Sequence, residues 1–156
     1  METASISIIK KELKNVAPEE LQAIVTRLAK YKKENKELLS YLLFDACNEQ
    51  EYIENVKAEI DEQFSNLNRT SFYLAKKKIR KVLKTTNKHI RFSGSKETEI
   101  QLRIYFCQKL KTSGLNYKAS RVVFNMYINQ IKRINKVLSM LHEDLQYDYR
   151  EEVENL

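Results

Sequence analysis

The residues best placed to do chemistry form a basic run in the middle of the chain. From residue 76 to residue 91 the sequence reads KKKIRKVLKTTNKHIR, with eight Lys or Arg and no Asp or Glu. Wound as an α-helix at about 100° per residue, this run places six cations on the side opposite its apolar residues. The six, here called the basic stripe, are Lys77, Arg80, Lys81, Lys84, Lys88 and Arg91. Like charges repel along a helix, and a phosphate backbone or an acidic protein surface could offset that cost.

Two alternative interpretations of the basic stripe require no external ligand or only an acidic neighbour. A Lys-rich outer helix face often serves solubility alone. Acidic residues near the end of the chain could also lie against the stripe, in the same molecule or in a neighbour: Glu143, Asp144, Asp148, Glu151, Glu152 and Glu154. The nearby aromatics could stack on unpaired bases or belong to the core. They are Tyr73, Phe92, Tyr105 and Tyr117.

Other reactive residue types form no recognisable site. The HExxH, CxxC and GxSxG spacings are absent. Residues 142–144 are His, Glu and Asp, but adjacent positions on a helix point in different directions and make a poor metal site. Cys47 or Cys107 paired with His89 stays open as a nucleophilic alternative, because catalytic groups assemble in space. We therefore expect no enzymatic activity, no metal site and no cofactor.

The elements that position these residues are predicted to be helices. The 156 residues include only two Gly and one Pro, too few for the tight turns of a sandwich, barrel or propeller. A hydrophobic content of 42% is enough to bury a core. The sequence therefore predicts an all-α fold of about six or seven helices.

Capping residues and apolar spacing place the helix boundaries. Pro18 suits the first turn of a helix, and Asn48 with Glu51 forms a capping box. The segment 18–47 is either one helix or two, with a break at Asn35 favoured because a polar run surrounds it. Residues 93–95, Ser-Gly-Ser, are the clearest loop.

The last helix is predicted to run from about Asn116 to Tyr149. Its apolar residues keep the 4-3-4-3-4 spacing of a coiled-coil seam: Tyr127, Ile131, Ile134, Leu138, Leu141 and Leu145. This seam could pack within the chain or form a homodimer. Residues 150–156 are expected to be a loose acidic tail.

A single domain of two similar halves is a further hypothesis. With an offset of 62 residues, segment 18–66 matches segment 68–140 in its apolar pattern. Three helices repeated twice would resemble armadillo or HEAT-type solenoids at the level of fold only. An irregular helical bundle is the alternative.

Charge and compartment complete the functional expectation. Residues 1–66 carry a net −4, residues 67–140 a net +16 and residues 141–156 a net −5. No apolar run is long enough to cross a bilayer, and the first fifteen residues lack a signal-peptide centre. Cys47 and Cys107 are expected to be reduced core thiols of a cytoplasmic protein.

The sequence does not specify one function, but it favours a class. We expect a non-enzymatic helical binding or scaffolding module whose ligand is an acidic macromolecule. The alternative is sequence-nonspecific binding of RNA or DNA through the basic helix from Lys77 to Arg91.

Overall fold

The chain folds into helices joined by short connections. The computed structural model describes residues 2–156, and no strand occurs in that range. The α-helices are α1 (Ile6–Leu13), α2 (Pro18–Tyr31), α3 (Lys33–Ser40), α4 (Glu49–Ser65), α5 (Phe72–Ser93), α6 (Lys96–Thr112), α7 (Arg121–Leu138) and α8 (Glu143–Glu154). A π-helical turn, Tyr41–Asp45, follows α3, and a 3₁₀ turn, Tyr117–Ala119, precedes α7. The all-α prediction is confirmed, with more helices than the six or seven expected.

Two compact units divide the chain, one ending at Phe44 and one running from Asp45 to Leu156. In the first unit, α2 and α3 pack against each other across a break at Lys32, whose backbone is extended. Asn35 Nδ2 donates to the carbonyl oxygen of Leu28 at 2.9 Å and ties the two helices together. The favoured break is confirmed, but it lies three residues before the predicted position.

The second unit holds the apolar core. Helix α4 packs on α5 and α6, and α7 packs on α6. Side chains from all four helices are fully buried, among them Ile60, Ile79, Phe106 and Ile134. The four helices therefore supply a common core. The boundary between the two units differs from that between the predicted halves 18–66 and 68–140, and a duplication stays a hypothesis.

Side-chain caps begin the helices of the second unit. Asn48 accepts from the Glu51 amide, as the capping box predicts, and Ser95 accepts from the Thr98 amide. Helix α5 ends at Gly94, whose φ of +68° is the left-handed conformation that glycine adopts without a steric penalty. The predicted loop at 93–95 is therefore a helix end followed at once by a helix cap.

The prediction of a single long last helix is wrong. The chain forms α7 and α8 with a break after Leu138, and His142 caps α8 by accepting from the Asp144 amide. The predicted loose tail is also wrong, since α8 continues to Glu154. The seam is used inside the chain at Tyr127 and Ile134, which are both buried.

The two cysteines lie in different surroundings. Cys107 is fully buried, as expected, whereas Cys47 is exposed, so the expectation of two core thiols is wrong for Cys47. Residues 46–48 connect the π-helical turn to α4, and this connection lies at the surface although the preceding residues are apolar. No helix within residues 2–156 has both the length and the apolar character needed to cross a bilayer.

Candidate anion-binding groove between α5 and α7

Helix α5 divides into a core face and a cationic face. Ala75, Ile79, Val82, Thr86 and Ile90 are buried, as the periodicity predicts. Every residue of the basic stripe is exposed except Lys88, which is half-buried. Lys88 Nζ lies 5.9 Å from the centroid of the Phe92 ring, a cation–π distance. The α5 sequence thus places its charge outward along one side.

An open groove of about 540 Å³ runs between α5 and α7. Half of the basic stripe lines it, namely Arg80, Lys84 and Arg91. Lys77, Lys81 and Lys88 lie further round α5 and are not part of the lining. This division follows from helical geometry, since the three lining cations are turned toward the side of α5 that faces α7.

Asparagine amides complete the polar part of the groove. Asn87 comes from α5, and Asn125 and Asn129 come from α7, one turn apart. Asn125 and Asn129 have no side-chain hydrogen bond within residues 2–156. Amide groups can both donate and accept, so this wall can satisfy carboxylate, phosphate or peptide groups of a ligand.

The apolar part of the groove consists of Leu83, Val122 and Met126. Leu83 is half-buried, because it lies between the core face of α5 and the face that borders the groove. Methionine adapts its shape to varied partners, and these three residues, here called the apolar floor, suit an amphipathic ligand together with the lining cations. No Asp or Glu lines the groove.

A buried polar network fixes the two walls. Arg103 on α6 is 8% exposed and donates to Glu99 at 2.9 Å, to Gln130 at 2.5 Å and to Asn87 at 3.1 Å. Arg133 Nε donates to the same Glu99 oxygen at 2.8 Å. The network thus joins α5, α6 and α7. One carboxylate balances two guanidinium groups, so the network adds positive charge beneath the groove.

The charges of this network set the ionisation of Glu99. Burial alone would raise the pKa of this carboxyl group. Hydrogen bonds from Arg133 and Arg103, together with their positive charge, outweigh burial and hold the pKa below its ordinary value of 4.5. Glu99 is therefore a carboxylate at neutral pH, which the buried Arg103 requires.

The acidic helix α8 forms no ion pair with four cations of the basic stripe in the part of the chain that the structure describes. Hydrogen bonds tie α8 and the residue after it to α6, from Tyr149 to Glu97 at 3.2 Å and from Lys111 to the Asn155 carbonyl at 2.6 Å. Within residues 2–156, four stripe cations pair with no carboxylate: Lys77, Arg80, Lys81 and Lys84. The predicted alternative of internal neutralisation by the acidic end is wrong for these four cations.

The aromatics considered for base stacking have separate positions. Phe92 and Tyr117 are buried, and Tyr105 donates to Asp61 at 2.7 Å on the α4 side of α6. Tyr73 is 69% exposed and lies one turn before Lys77 on α5. None of the four lines the groove. One exposed aromatic thus accompanies the stripe.

His89 is held in contacts that its sequence position did not reveal. Its Nδ1 lies 2.7 Å from the Tyr52 hydroxyl and its Nε2 lies 3.0 Å from Glu59. Both ring nitrogens thus face partners from α4, and neither partner is a cysteine. Burial raises the pKa of Cys107 to about 12, although the positive charge of Arg103 opposes this rise. The Cys107 thiolate is therefore scarce at neutral pH, which argues against the nucleophilic alternative at that residue.

No metal-binding group is found in the part of the chain that the structure describes, where no three His, Cys, Asp or Glu side chains converge. Residues 142–144 are exposed at the start of α8 and serve as its cap and first turn. No family model, curated protein or solved structure matches this chain. The geometry of the groove therefore carries the functional argument.

Sequence reasoning identified the cations of the groove but missed its other wall. Val122, Asn125, Met126 and Asn129 recur at the i, i+3, i+4, i+7 spacing of one helix face. That spacing was the available signal. Asparagine is usually a surface residue, and nothing local indicates that this face lies opposite α5.

Proposed function

We propose that this protein is a non-enzymatic binding module that holds an acidic, amphipathic segment of a partner protein in the groove between α5 and α7. The observation that carries the proposal is the lining itself. Cations and an amide stand on α5, two amides stand on α7, and apolar side chains come from both helices. No carboxylate stands among them.

Each part of the lining suits a part of such a segment. Arg80, Lys84 and Arg91 would pair with carboxylates, Asn125 and Asn129 would meet polar groups, and Met126 would pack against apolar side chains. Helical segments commonly bind in this way, with apolar anchors in a groove and charges at its rim. The positive field would also speed the encounter with an acidic partner.

Binding of a nucleic-acid backbone is the second candidate. The stripe from Lys77 to Arg91 spans about 20 Å at 1.5 Å per residue, and Tyr73 is exposed one turn before it. These features suit phosphate contacts and one stacking contact. The apolar floor and the absence of aromatic side chains from the groove favour the protein segment.

The proposal places the protein in the cytoplasm. Neither Cys47 nor Cys107 forms a disulfide within residues 2–156, a state that the reducing conditions of the cytoplasm maintain. A stack of helix repeats would present the groove as part of an extended face, which agrees with a scaffolding role.

A pair of designed peptides tests the proposal by fluorescence anisotropy. The first is a labelled amphipathic helix with Glu on one face and Leu at i, i+3, i+4 and i+7 spacing. The second carries Ser in place of each Leu and has the same charge. We expect the Leu peptide to bind about tenfold or more tightly than the Ser peptide, because only Leu can fill the apolar floor.

Labelled single-stranded RNA and duplex DNA in the same assay separate the two candidates. If RNA or DNA binds more tightly than the Leu peptide and the two peptides bind equally, the nucleic-acid candidate replaces the proposal. A steep fall in that binding with rising salt would identify phosphate contacts. If no probe binds even at low salt, both candidates are overturned and the stripe serves solubility.

A further inference from the structure

The first unit exposes apolar side chains that a folded protein normally covers. Among its described residues, Tyr41 is the one buried hydrophobic side chain, at 5% exposure. Large apolar residues are exposed on α1, on α2 and in the π-helical turn after α3: Ile6, Ile8, Ile9 and Leu13 on α1, Leu21, Ile24, Leu28 and Tyr31 on α2, and Leu42 and Leu43 in the turn. Units of this size usually need a disulfide, a metal or oligomerisation to be stable.

The exposed residues of α2 form a regular seam. Leu21, Ile24, Leu28 and Tyr31, here called the α2 seam, follow one another at spacings of three, four and three residues. This is the pattern with which two helices pack side by side. The exposed fraction rises from 36% at Leu21 to 77% at Tyr31. The pattern therefore indicates that the partner of the α2 seam is a helix.

The ends of α2 carry opposite charges. Glu19 and Glu20 stand in its first turn, whereas Arg27 and Lys30 stand near its end. A second α2 running antiparallel would bring each acidic end next to a basic end. The two helix dipoles would then also oppose each other favourably. A parallel pair would set like charges side by side.

An apolar groove beside the seam adds the area that a stable interface needs. It measures about 370 Å³ and lies between α2 and α3, lined by Val25, Leu38 and Leu42 among others. Stable protein interfaces bury roughly 800 Å² on each partner, from some 20–30 residues. The fourteen residues of α2 are too few by themselves, and α3 supplies the rest.

We propose that the first unit is a dimerisation module whose occupant is a second copy of this chain, with α2 packed antiparallel on the partner's α2. The two hairpins of α2 and α3 then form a four-helix arrangement around the two α2 seams. Residues exposed in one chain become the core of the dimer. The interface is the same patch on both copies, as two-fold symmetry requires.

Sedimentation velocity with the full chain tests the dimer. We expect a mass of twice 18.5 kDa for the wild type and 18.5 kDa for the Ile24→Glu, Leu28→Glu double variant. Gln22→Glu with Ala23→Glu is the matched control, because it adds the same charge at exposed positions of α2 off the seam. The control should remain dimeric, and circular dichroism verifies that all three proteins stay helical.

Disulfide trapping tests the antiparallel direction. In a Cys47→Ser background, the single variants Leu21→Cys and Leu28→Cys are oxidised separately and then mixed in the reduced state and oxidised together. We expect a cross-link between the two variants and little within either one. Rapid cross-linking of Leu21→Cys alone would indicate a parallel pair and overturn the orientation. A helical wild type that stays monomeric at all concentrations would overturn the dimer and assign the α2 seam to another partner.

Discussion

A single oxygen, Glu99 Oε1, receives hydrogen bonds from Arg103 and Arg133. Arg103 then extends to Gln130 and to Asn87, and Asn87 lines the α5–α7 groove. A buried guanidinium group is costly unless charge and hydrogen bonds compensate it. Glu99 supplies the charge, so this carboxylate both stabilises the second unit and holds a groove residue in position.

Replacing Glu99 with Gln should reveal this role through pH. At neutral pH we expect Glu99→Gln to lower the free energy of unfolding by about 3 kcal/mol, because Arg103 stays buried without a charge partner. The measurement is denaturant unfolding followed by circular dichroism. The exposed Glu62→Gln is the control and should change little.

The acid dependence gives the sharper readout. The pKa of Glu99 in the folded protein lies below the ordinary value of 4.5. The Glu99 charge therefore makes its full contribution to stability above pH 4.5, and this contribution is lost as pH falls through the pKa of the folded protein. The difference in the free energy of unfolding between wild type and Glu99→Gln should therefore narrow as pH falls below about 4.5. A gap that stays constant with pH would show that the Glu99 charge does not stabilise the fold.

At the scale of elements, the ends of α5 and α6 depend on two glycines. Gly94 ends α5 with φ +68° and has open space where a Cβ would lie. Gly114 follows α6 with φ +77°, and a Cβ there would meet Arg69 Nε at 3.2 Å. Arg69 Nε donates to the Ser113 carbonyl at 2.7 Å, so its displacement would break a contact between distant segments.

The two alanine variants should therefore differ in cost. Gly94→Ala should lower the free energy of unfolding by about 1 kcal/mol, because alanine is strained in the left-handed conformation. Gly114→Ala should lose more, because the same strain is joined by the clash with Arg69. Thermal unfolding of both variants measures the difference. Equal losses would mean that Arg69 moves away freely and that its contact with Ser113 contributes little.

Helix content was predictable because it rests on local signals. Pro18, Asn48, Ser95 and Gly94 each mark a helix end through their own backbone or side chain. The break after Leu138 was not predictable, since residues 139–142 include no Gly or Pro and the apolar spacing continues through them. The hydrogen bond from Tyr149 to Glu97 and that from Lys111 to Asn155 hold α8 in its own direction. Such contacts join residues that are distant in the sequence, so local signals do not reveal them.

Half of the candidate groove was predictable for the same reason. The cations of α5 form an acid-free run that the sequence displays directly. The amides of α7 line the candidate groove only because α5 and α7 both pack on α6 and so lie next to each other. The angular position of Leu83 on α5 is close to the core face, and only the placement of α7 shows that Leu83 borders an open groove.

At the scale of the whole molecule, positive and negative charges are concentrated on different helices. Helix α5 carries eight Lys or Arg, α7 carries four, and neither carries an acid. These two helices are the walls of the groove. Acidic residues concentrate instead on α4, which packs on α5 and α6, and on α8, which packs on α7. This separation creates a positive field at the groove, to which the acidic partner of the proposed function would be attracted.

The measurement that tests this account most directly is anisotropy of the labelled Leu peptide against two charge-reversed proteins. One carries Arg80→Glu, Lys84→Glu and Arg91→Glu in the groove, and the other, called the α1 variant, carries Lys10→Glu, Lys11→Glu and Lys14→Glu at exposed positions in α1 and directly after it. Both lose the same net charge. We expect the groove variant to lose binding by about a hundredfold or more and the α1 variant to bind nearly as the wild type does. Equal weakening in the two variants would contradict a binding site between α5 and α7.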